Sequence, residues 1–454
     1  MTDTPRTDPM DRAFREGSES SRLGRQAREY LAGGDSRTGL WSAPWPVYVA
    51  RASGNRVWDV DGDVRLDMNP NNTSQIHGHA NPDIVAALSE QARNGTSFNL
   101  PTPQEVALAR HIVERIPSVD RVRFTNSGTE AMMNAIRAAW AFTGRPKIAK
   151  FEGPYHGSYP GVDISLEPLE EMWGEAETPA SAPESPGTPR AIVDNTIVLP
   201  FNHPDQVEAI VRRHADELAA VIVEPVPSNL SWISPRPGFL PFLRKLTESL
   251  GILLIADEIV DFRLAWSGVQ TVHGIAPDLT TLGKFVGGGM PFGVVGGRRE
   301  VMDSFDHTRS GGFIQHSGSF NGNPMSTTAG LVALQKLTAS EIGRINRLGD
   351  DLRRELLDRI EVGRYHATVT GQGSLLCFFP TTGPVEPTEL VDYRSIAAAR
   401  GDGAALTALR RALLVEGVAN GAGQLSLTTV LTDADVEEYL AAVDRAMPAV
   451  LARG

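Results

Sequence analysis

The segment DLTTLGKFVGGGMPFG, from Asp278 to Gly293, places a lysine between a strand-like apolar run and a glycine-rich loop. A long charged side chain rarely ends a buried strand without a partner or a task. Burial disfavours the charged form of an amine, so its pKa falls and it becomes a nucleophile for carbonyl groups. Lys284 is therefore a candidate for Schiff-base chemistry. The alternative is a surface lysine whose amine reaches solvent beyond the strand.

The residues around Lys284 belong to an alternation of strands and helices that begins near residue 80. Its strands are continuous apolar runs, such as AAVIVEPV (219–226) and ILLIADE (252–258). Runs of this kind are typical of strands that are buried on both faces, in a parallel sheet covered by helices. The sequence therefore predicts an α/β fold, with a large ligand-binding domain over residues 75–325.

The chain on either side of this domain has a different pattern. Residues 47–69 hold three short β-rich runs separated by the turn signals SGN and DGD, which predict an antiparallel meander. Residues 326–454 mix long helical stretches with short strands. We expect residues 1–74, an N-terminal segment and part of a small domain, to pack with residues 326–454 as one smaller α+β domain. Residues 167–190, which are acidic and rich in Pro, Ser and Ala, are expected to form a surface excursion between two core strands.

Composition limits the kinds of partner. The 454 residues carry a formal net charge of −12, which argues against a nucleic-acid binder, because such proteins need clustered positive charge. Cys377 is the single cysteine and lies in an apolar run, so we expect a buried thiol and no intrachain disulfide. The sequence contains neither an apolar secretory signal nor an apolar stretch of about 18–20 residues. We therefore expect a cytoplasmic protein with no membrane partner.

A second motif, NSGTEA (126–131), follows the predicted strand RVRFT and opens a predicted helix. Backbone N–H groups at a helix N-terminus, with the hydroxyls of Ser127 and Thr129, make a cradle for an anion. Gly128 lets the backbone approach a ligand closely. The alternative is ordinary N-capping by Ser127 or Thr129, with Glu130 in the first turn.

A third motif places Asp257 and Glu258 at the end of an apolar strand. The carboxyl edge of a parallel sheet is where open α/β folds bind ligands, and a buried aspartate needs a cationic partner. A protonated pyridine nitrogen is one such partner; a capping or salt-bridge role is the alternative. His77 and His79 suggest a metal site, but turn or N-cap roles are favoured there, and we expect no metal.

Two loops complete the set of polar segments at predicted strand ends. Tyr155 and His156 follow the strand KIAKF, where an aromatic ring can stack on a flat heterocycle. Residues 315–324, QHSGSFNGNP, are rich in donors and can close over a phosphate. Together the motifs supply an amine nucleophile, an anion cradle, a carboxylate and an aromatic ring. This combination fits pyridoxal 5'-phosphate (PLP) better than NAD or a nucleotide.

The motifs NSGTEA, YHG, VEPV, DEI and DLTTLGKFVGGG stand in the order and spacing of the class III aminotransferases, which the chain resembles from residue 51 to residue 442. The resemblance implies the aspartate aminotransferase-like fold type I, whose large domain has a mostly parallel seven-stranded sheet, and PLP as cofactor. The most similar groups are the glutamate-1-semialdehyde 2,1-aminomutases and the β-amino-acid (β-phenylalanine-type) aminotransferases.

The resemblance also implies roles for individual residues. Lys284 would form the Schiff base with PLP and shuttle the proton between substrate carbon and cofactor, and Asp257 would pair with the pyridine nitrogen. The other implied cofactor contacts are Ser127, Gly128 and Thr129 at the phosphate, Tyr155 and Ile259 on the two ring faces, Glu224 in VEPV, and Ser319, which matches a residue that reaches the phosphate from the partner subunit. A homodimer with shared active sites is therefore implied.

The substrate is indicated by the segment GGDSRTGLWSAPWP (33–46). It resembles the segment of the β-amino-acid aminotransferases in which an arginine binds the substrate carboxylate, and Arg37 is the matching residue. A solvated surface arginine is the alternative. Two departures count against an aminomutase: SYPGVDIS follows YHG, and residues 416–429 lack the acidic element of the mutases. Residues 416–429 also lack the arginine often found there in β-amino-acid aminotransferases.

The sequence therefore predicts a PLP-dependent aminotransferase that moves an amino group from an amino acid, with a β-amino acid favoured, or from an amine to a keto acid by a ping-pong mechanism. Intramolecular amino transfer of the glutamate-1-semialdehyde 2,1-aminomutase type is the alternative reaction. A PLP-binding regulator is a third interpretation, which the missing helix-turn-helix extension and the missing basic patch disfavour.

Overall fold

The computed structural model describes residues 13–310, 312–401 and 403–451, so the ends of the predicted first and last domains lie outside the described residues. The described strands are β1 Val49–Ser53, β2 Arg56–Asp59, β3 Val64–Asp67, β4 Arg121–Thr125, β5 Lys147–Phe151, β6 Gly174–Glu175, β7 Thr178–Pro179, β8 Thr196–Leu199, β9 Leu218–Val223, β10 Leu253–Asp257, β11 Leu279–Gly283, β12 Gly293–Gly297, β13 Ala367–Gln372, β14 Leu375–Pro380, β15 Val418–Ala419 and β16 Gly423–Ser426. The described helices are α1 Glu19–Tyr30, α2 Pro82–Asn94, α3 Pro103–Arg115, α4 Gly128–Thr143, α5 Arg190–Val193, α6 Pro204–Arg213, α7 Phe239–Ser249, α8 Val269–Val272, α9 Arg299–Met302, α10 Pro324–Lys336, α11 Ala339–Gly363, α12 Tyr393–Arg400, α13 Ala404–Val415 and α14 Asp433–Leu451.

The central sheet has seven strands in the order β4-β12-β11-β10-β9-β5-β8. Strand β12 is antiparallel to both of its neighbours, and the other strands run in one direction. The predicted α/β fold with a mostly parallel seven-stranded sheet is confirmed. Because the carboxyl ends of those strands share one edge, the segments after β4, β5, β9, β10 and β11 meet there.

Both faces of the central sheet are buried, which explains why its strands read as continuous apolar runs. On β9, Val221 and Val223 belong to the hydrophobic cluster on one face, and Ala220 and Ile222 belong to the cluster on the other. Successive side chains of a strand point to opposite faces, so a strand that is covered twice needs an apolar residue at every position. Helix α4 contributes its small apolar side chains to the second cluster.

The two ends of the chain meet in a second group of strands. Strand β15 pairs in parallel with β3, through Val418 opposite Leu66, and so joins the antiparallel meander β1-β2-β3. Strands β13, β14 and β16 form a three-stranded antiparallel sheet, and the Ser426 N–H donates to Met68 O at 2.8 Å. We infer from these pairings that both chain ends build one smaller α+β unit; the boundaries at residues 74 and 325 stay predictions.

The acidic segment 167–190 lies between β5 and β8 and includes the two-stranded hairpin β6-β7. Helix α12 holds this segment: the Tyr393 hydroxyl donates to Pro168 O at 3.2 Å, and Arg394 donates to the hairpin at Gly174 O, 3.2 Å away, and Glu175 O, 3.3 Å away. The segment is therefore anchored to the C-terminal part of the chain. Across the described residues, none of the helices has the length and apolar composition that crossing a bilayer requires.

Candidate active site

Lys284 follows β11 directly and begins a 3₁₀ turn over Lys284–Gly287. Its φ is 51°, a left-handed conformation that is uncommon for a residue with a β-carbon and that tends to occur at functional sites. Burial lowers the pKa of the Lys284 ammonium, an effect that nearby carboxylates of Glu224 and Asp257 oppose and the positive charge of Arg37 reinforces. The side chain therefore meets the physical condition that the sequence predicted for a nucleophilic amine.

Asp257 ends β10 and lies opposite Thr281 on β11. Asp257 is only 3% exposed. One carboxylate oxygen accepts from the Thr281 hydroxyl at 3.0 Å and from the Ile259 N–H at 3.3 Å, and the other lies 2.7 Å from Nδ1 of His156. Burial lowers the pKa of His156, while the hydrogen bond with Asp257 acts to raise it. The carboxylate is thus held in one orientation from three directions.

His156 is a site residue for which the sequence predicts no role. Its ring is fully buried, and its Nε2 atom has no hydrogen-bond partner among the described residues. The signal that identifies it is its place in YHG: the loop after β5 presents Tyr155 to solvent and turns the next side chain inward, toward the end of β10.

The predicted anion cradle lies at the N-terminus of α4. Ser127 is the N-cap, and its hydroxyl accepts from the Glu130 N–H at 3.1 Å, so the capping alternative describes this side chain as well. The first backbone N–H groups of the helix, at Gly128 and Thr129, have no acceptor within the helix. The Thr129 hydroxyl accepts from the Ser158 N–H at 3.2 Å, which connects the cradle to the loop after β5.

Two glycines allow the backbone to pack closely around this cradle. A β-carbon on Gly128 would lie 2.6 Å from Cδ1 of Ile259. A β-carbon on Gly293, at the start of β12, would overlap the carbonyl oxygen of Ser127. The cradle is thus bounded by Ile259 on one side and by β12 on the other, and a side chain at either glycine would displace it.

Tyr155 and Ile259 are the residues predicted for the two ring faces. Tyr155 is 42% exposed, and its hydroxyl lies 3.1 Å from Oγ of Ser158. Ile259 is partly buried, follows Asp257 by two residues and borders both Gly128 and Gly283. The exposed ring and the partly buried aliphatic side chain both belong to loops at the edge of the sheet where Asp257 ends β10.

Glu224 follows β9 and is buried next to Asp257. Burial, with the neighbouring Asp257 carboxylate, raises the pKa of Glu224 to about 8, and its Oε2 atom has no hydrogen-bond partner in the described part of the chain. Two further carboxyls behave in the same way: burial raises the pKa of Glu258 to about 7 and raises that of Asp261 well above its usual range. The site therefore contains three buried carboxyl groups whose surroundings favour the neutral form.

The remaining predicted residues are placed differently. Arg37 is exposed, and its Nη1 donates to Oδ1 of Asn71 at 2.8 Å. Ser319 is exposed, and no hydrogen bond of the described residues joins its side chain to the cradle, although Asn321 in the same loop accepts from Nδ2 of Asn126 at 2.7 Å. A single chain thus brings Lys284, Asp257 and the cradle to one edge of the central sheet. It leaves Ser319 out of hydrogen-bonding contact with the cradle.

His77 and His79 have structural partners. His77 lies 2.9 Å from both Thr429 Oγ1 and Ala333 O, and His79 lies 3.0 Å from the Asp67 carboxylate. Within the described ranges, no three side chains of the His, Cys, Asp and Glu type converge as metal ligands do.

The residues present fit a phosphorylated pyridine aldehyde. The backbone N–H groups at the start of α4 can receive a phosphate, and the buried Asp257 can face a ring nitrogen. Lys284 supplies the amine, and the unpartnered Oε2 of Glu224 and Nε2 of His156 are buried polar atoms whose partners a ligand can provide.

Comparison with known proteins agrees with this chemistry. The model of the class III aminotransferase family matches residues 39–444 of the chain. A glutamate-1-semialdehyde 2,1-aminomutase of Methanocaldococcus jannaschii is 41% identical over 345 residues, which are 75% of this chain and 79% of that protein.

Two solved structures share the fold closely. An omega-transaminase from Sphaerobacter thermophilus has a TM-score of 0.90 and 42% identity, covering 96% of this chain and 99% of its own. A beta-phenylalanine aminotransferase from Variovorax paradoxus has a TM-score of 0.84 and 36% identity, covering 96% of this chain and 95% of its own.

Proposed function

The chain belongs to the class III aminotransferases and uses their cofactor, PLP, and from this premise we propose that it transfers an amino group from a β-amino acid to a keto acid. The observation that carries the proposal is the joint placement of Lys284 and Arg37: the Arg37 guanidinium donates to Asn71, and the same segment places the side chain of Gln75 over the loop that follows Lys284. A donor whose carboxylate meets Arg37 can thus present its amino group to the cofactor.

We assign the cofactor contacts as follows. The start of α4, at Ser127, Gly128 and Thr129, holds the phosphate, because helix N-termini offer free N–H groups and a positive dipole end. Asp257 faces the ring nitrogen. The remaining contacts in this proposal are Tyr155 and Ile259 on opposite ring faces, Glu224 beside Asp257, and Ser319 from a partner subunit. When bound, PLP acts as an electron sink that stabilises negative charge on the substrate carbon.

Lys284 has two tasks in this mechanism. Its amine would hold the cofactor through the aldehyde carbon in the resting enzyme, and Nζ would be the group that accepts and returns the proton of the substrate carbon. The burial that lowers its pKa favours the neutral, proton-accepting form of the amine. Because the bound cofactor would carry the amino group from donor to acceptor, the first product would leave before the acceptor binds, and the kinetics are expected to be ping-pong.

His156 and Thr281 orient Asp257 rather than touch the substrate. The hydrogen bonds at 2.7 and 3.0 Å fix both carboxylate oxygens. A carboxylate held in this way keeps its position when the charge of the ring changes during the reaction, so less reorganisation is required.

A half-reaction screen tests the proposal. The PLP form is mixed with α-amino acids, β-amino acids and amines in the absence of keto acid, and conversion to the pyridoxamine form is followed by absorbance. We expect β-amino acids to react fastest, and Arg37→Gln to slow them selectively. Reaction with α-amino acids alone would refute the role of Arg37.

The second candidate is intramolecular amino transfer, and the observation that favours it is the identity to a glutamate-1-semialdehyde 2,1-aminomutase. The segments 158–165 and 416–429 differ from those expected of such enzymes, which is why we rank it second. Incubation with glutamate-1-semialdehyde distinguishes the two reactions. A mutase forms 5-aminolevulinate without an added keto acid, whereas a transaminase needs a keto acid to accept the amino group.

The assignment of Ser319 requires a second subunit. Two exposed aromatic side chains, Phe313 and Phe320, flank it, and exposed Phe98 and Leu100 add further apolar surface. Exposed apolar side chains of this size favour burial against another chain. We therefore include a homodimer with shared active sites in the proposal; light scattering measures the mass, and a Ser319→Ala variant with unchanged PLP affinity would refute the shared site.

A further inference from the structure

The side chain and the main chain of Arg37 are each held by a neighbouring polar residue. Its backbone N–H donates to Oδ1 of Asp35 at 2.9 Å, and its Nη1 donates to Oδ1 of Asn71 at 2.8 Å. An exposed arginine is ordinarily free to change rotamer, because its side chain loses much entropy when it is fixed. This arginine is fixed at both ends.

Asn71 stands in an unusual backbone segment. Asn71, Asn72 and Thr73 have φ values of 46°, 49° and 74°, so three consecutive non-glycine residues are left-handed. Asparagine tolerates this region, but for a β-branched residue such as Thr73 it is an outlier. Thr73 is also buried, and its hydroxyl has no hydrogen-bond partner among the described residues. Strain of this kind persists only where the surroundings impose it, and it is common at ligand sites.

This strained segment also orients the amide of Asn71. Nδ2 of Asn71 donates to Oγ of Ser74 at 2.8 Å, which turns the amide oxygen toward Arg37. Four residues after Asn71, the side chain of Gln75 packs over Gly289, in the loop that follows Lys284; a β-carbon on Gly289 would lie 2.8 Å from Nε2 of Gln75. The segment therefore connects Arg37 to the loop of the reactive lysine.

We propose that Asn71 is a positioning residue that holds the Arg37 guanidinium in place for the substrate carboxylate. Asn71 occupies one N–H of a group that has five, and so leaves a pair of parallel N–H groups for a bidentate carboxylate. The partner of this site is the carboxylate of the amino donor. The inference rests on the role given to Arg37 in the proposed function. It identifies the hydrogen bond from Arg37 to Asn71 as the restraint that orients the guanidinium for a carboxylate.

Two substitutions by glycine distinguish the effect of the Asn71 side-chain amide from the effect of a change in backbone flexibility. Asn71→Gly keeps the left-handed conformation at no steric cost but removes the acceptor for Arg37. Asn72→Gly, the matched control, makes the same backbone change at a residue whose side chain forms no hydrogen bond to the described part of the chain. Isothermal titration of the PLP-loaded enzyme with butanoate measures carboxylate binding without turnover, and butanamide is the uncharged comparison ligand.

We expect Asn71→Gly to raise the Kd of butanoate about tenfold, the effect of one hydrogen bond to a charged group, and to leave butanamide unchanged. With a β-amino acid donor, KM should rise by a similar factor while kcat changes less than about twofold. Asn72→Gly should behave as wild type. An unchanged Kd in Asn71→Gly, an equal effect in Asn72→Gly, or a wild type that binds butanoate no better than butanamide overturns the inference.

The titration also distinguishes this inference from the proposed function. If the wild type converts no β-amino acid and yet Asn71→Gly weakens butanoate binding, the donor assignment fails and the positioning role of Asn71 stands. If β-amino acids are converted and the butanoate Kd does not respond to Asn71→Gly, the donor assignment stands and the positioning role fails.

Discussion

His156 Nδ1 lies 2.7 Å from Asp257 Oδ2, and the two buried side chains are 101 residues apart in the chain. The pair joins the loop after β5 to the end of β10, and so joins the residue proposed to stack on the cofactor, Tyr155, to the carboxylate proposed to face its ring nitrogen. A buried carboxylate with an imidazole partner is restrained in a way that a solvated one is not.

The first prediction concerns this pair. His156→Ala should lower both PLP affinity and kcat about 10- to 100-fold, because it removes a hydrogen bond to a charged group, worth about 1.5–3 kcal/mol. His156→Asn places an amide nitrogen near the position of Nδ1 and should retain more of both. PLP binding is measured by equilibrium dialysis, and kcat by product formation. Equal losses in the two variants would show that ring volume, rather than the hydrogen bond, is what matters.

The second prediction concerns Lys284. Lys284→Ala should reduce turnover by more than about 10²–10⁴-fold, the usual size of a lost proton-transfer group, and abolish the visible absorbance of the Schiff base. Lys245→Ala, at an exposed lysine on α7, is the control and should retain both. A Lys284→Ala enzyme that still turns over at the wild-type rate would remove the basis of the proposed mechanism.

The third prediction concerns Glu224 and pH. Its pKa is raised from 4.5 to about 8, so the folded protein binds a proton that the unfolded chain has released. The stability that this carboxyl contributes is therefore full below about pH 4.5 and is lost as pH rises through about 8, by about 1.4 kcal/mol per pKa unit at most.

The Glu224→Gln variant, which has no carboxyl group at this position, is the reference from which this pH-dependent loss of stability is measured. The melting temperature of the apoenzyme variant, relative to wild type, should rise progressively between pH 5 and pH 8. The same substitution at Glu437, which is exposed on α14, should give a difference that is flat with pH. A flat difference for Glu224→Gln as well would mean that Glu224 is charged in the folded protein.

The fourth prediction compares two glycines of the cradle. A β-carbon on Gly293 overlaps a backbone oxygen of Ser127, whereas one on Gly128 meets the flexible end of Ile259 at 2.6 Å. Since a side-chain end can move and the backbone cannot easily do so, Gly293→Ala should lower the unfolding free energy by about 1–3 kcal/mol and Gly128→Ala by less. Chemical denaturation provides the measurement, and the reverse order would contradict the packing described for β12.

Local patterns in the sequence were sufficient for much of the fold. Continuous apolar runs marked β9, β10 and β11 as strands covered on both faces, because such a strand cannot alternate polar and apolar residues. The glycines around Lys284 and the polar turn before α4 likewise identified the lysine loop and the cradle, since each depends on neighbouring residues alone. The strands, the loop at Lys284 and the start of α4 are confirmed as elements of the structure, while the anion cradle and the roles of the individual residues stay proposals.

What the sequence by itself determined about this protein is therefore its α/β class, its family and the elements that bear the polar motifs. Only the tertiary structure decided which side chains meet: His156 with Asp257, Asn71 with Arg37, and Glu224 with Asp257. The physical reason is that a strand or a helix start is encoded within a few residues, whereas these contacts join segments that are far apart in the chain and meet only in the folded protein. The left-handed φ of Thr73 belongs with these contacts, because a β-branched residue disfavours that conformation and only the surrounding packing imposes it.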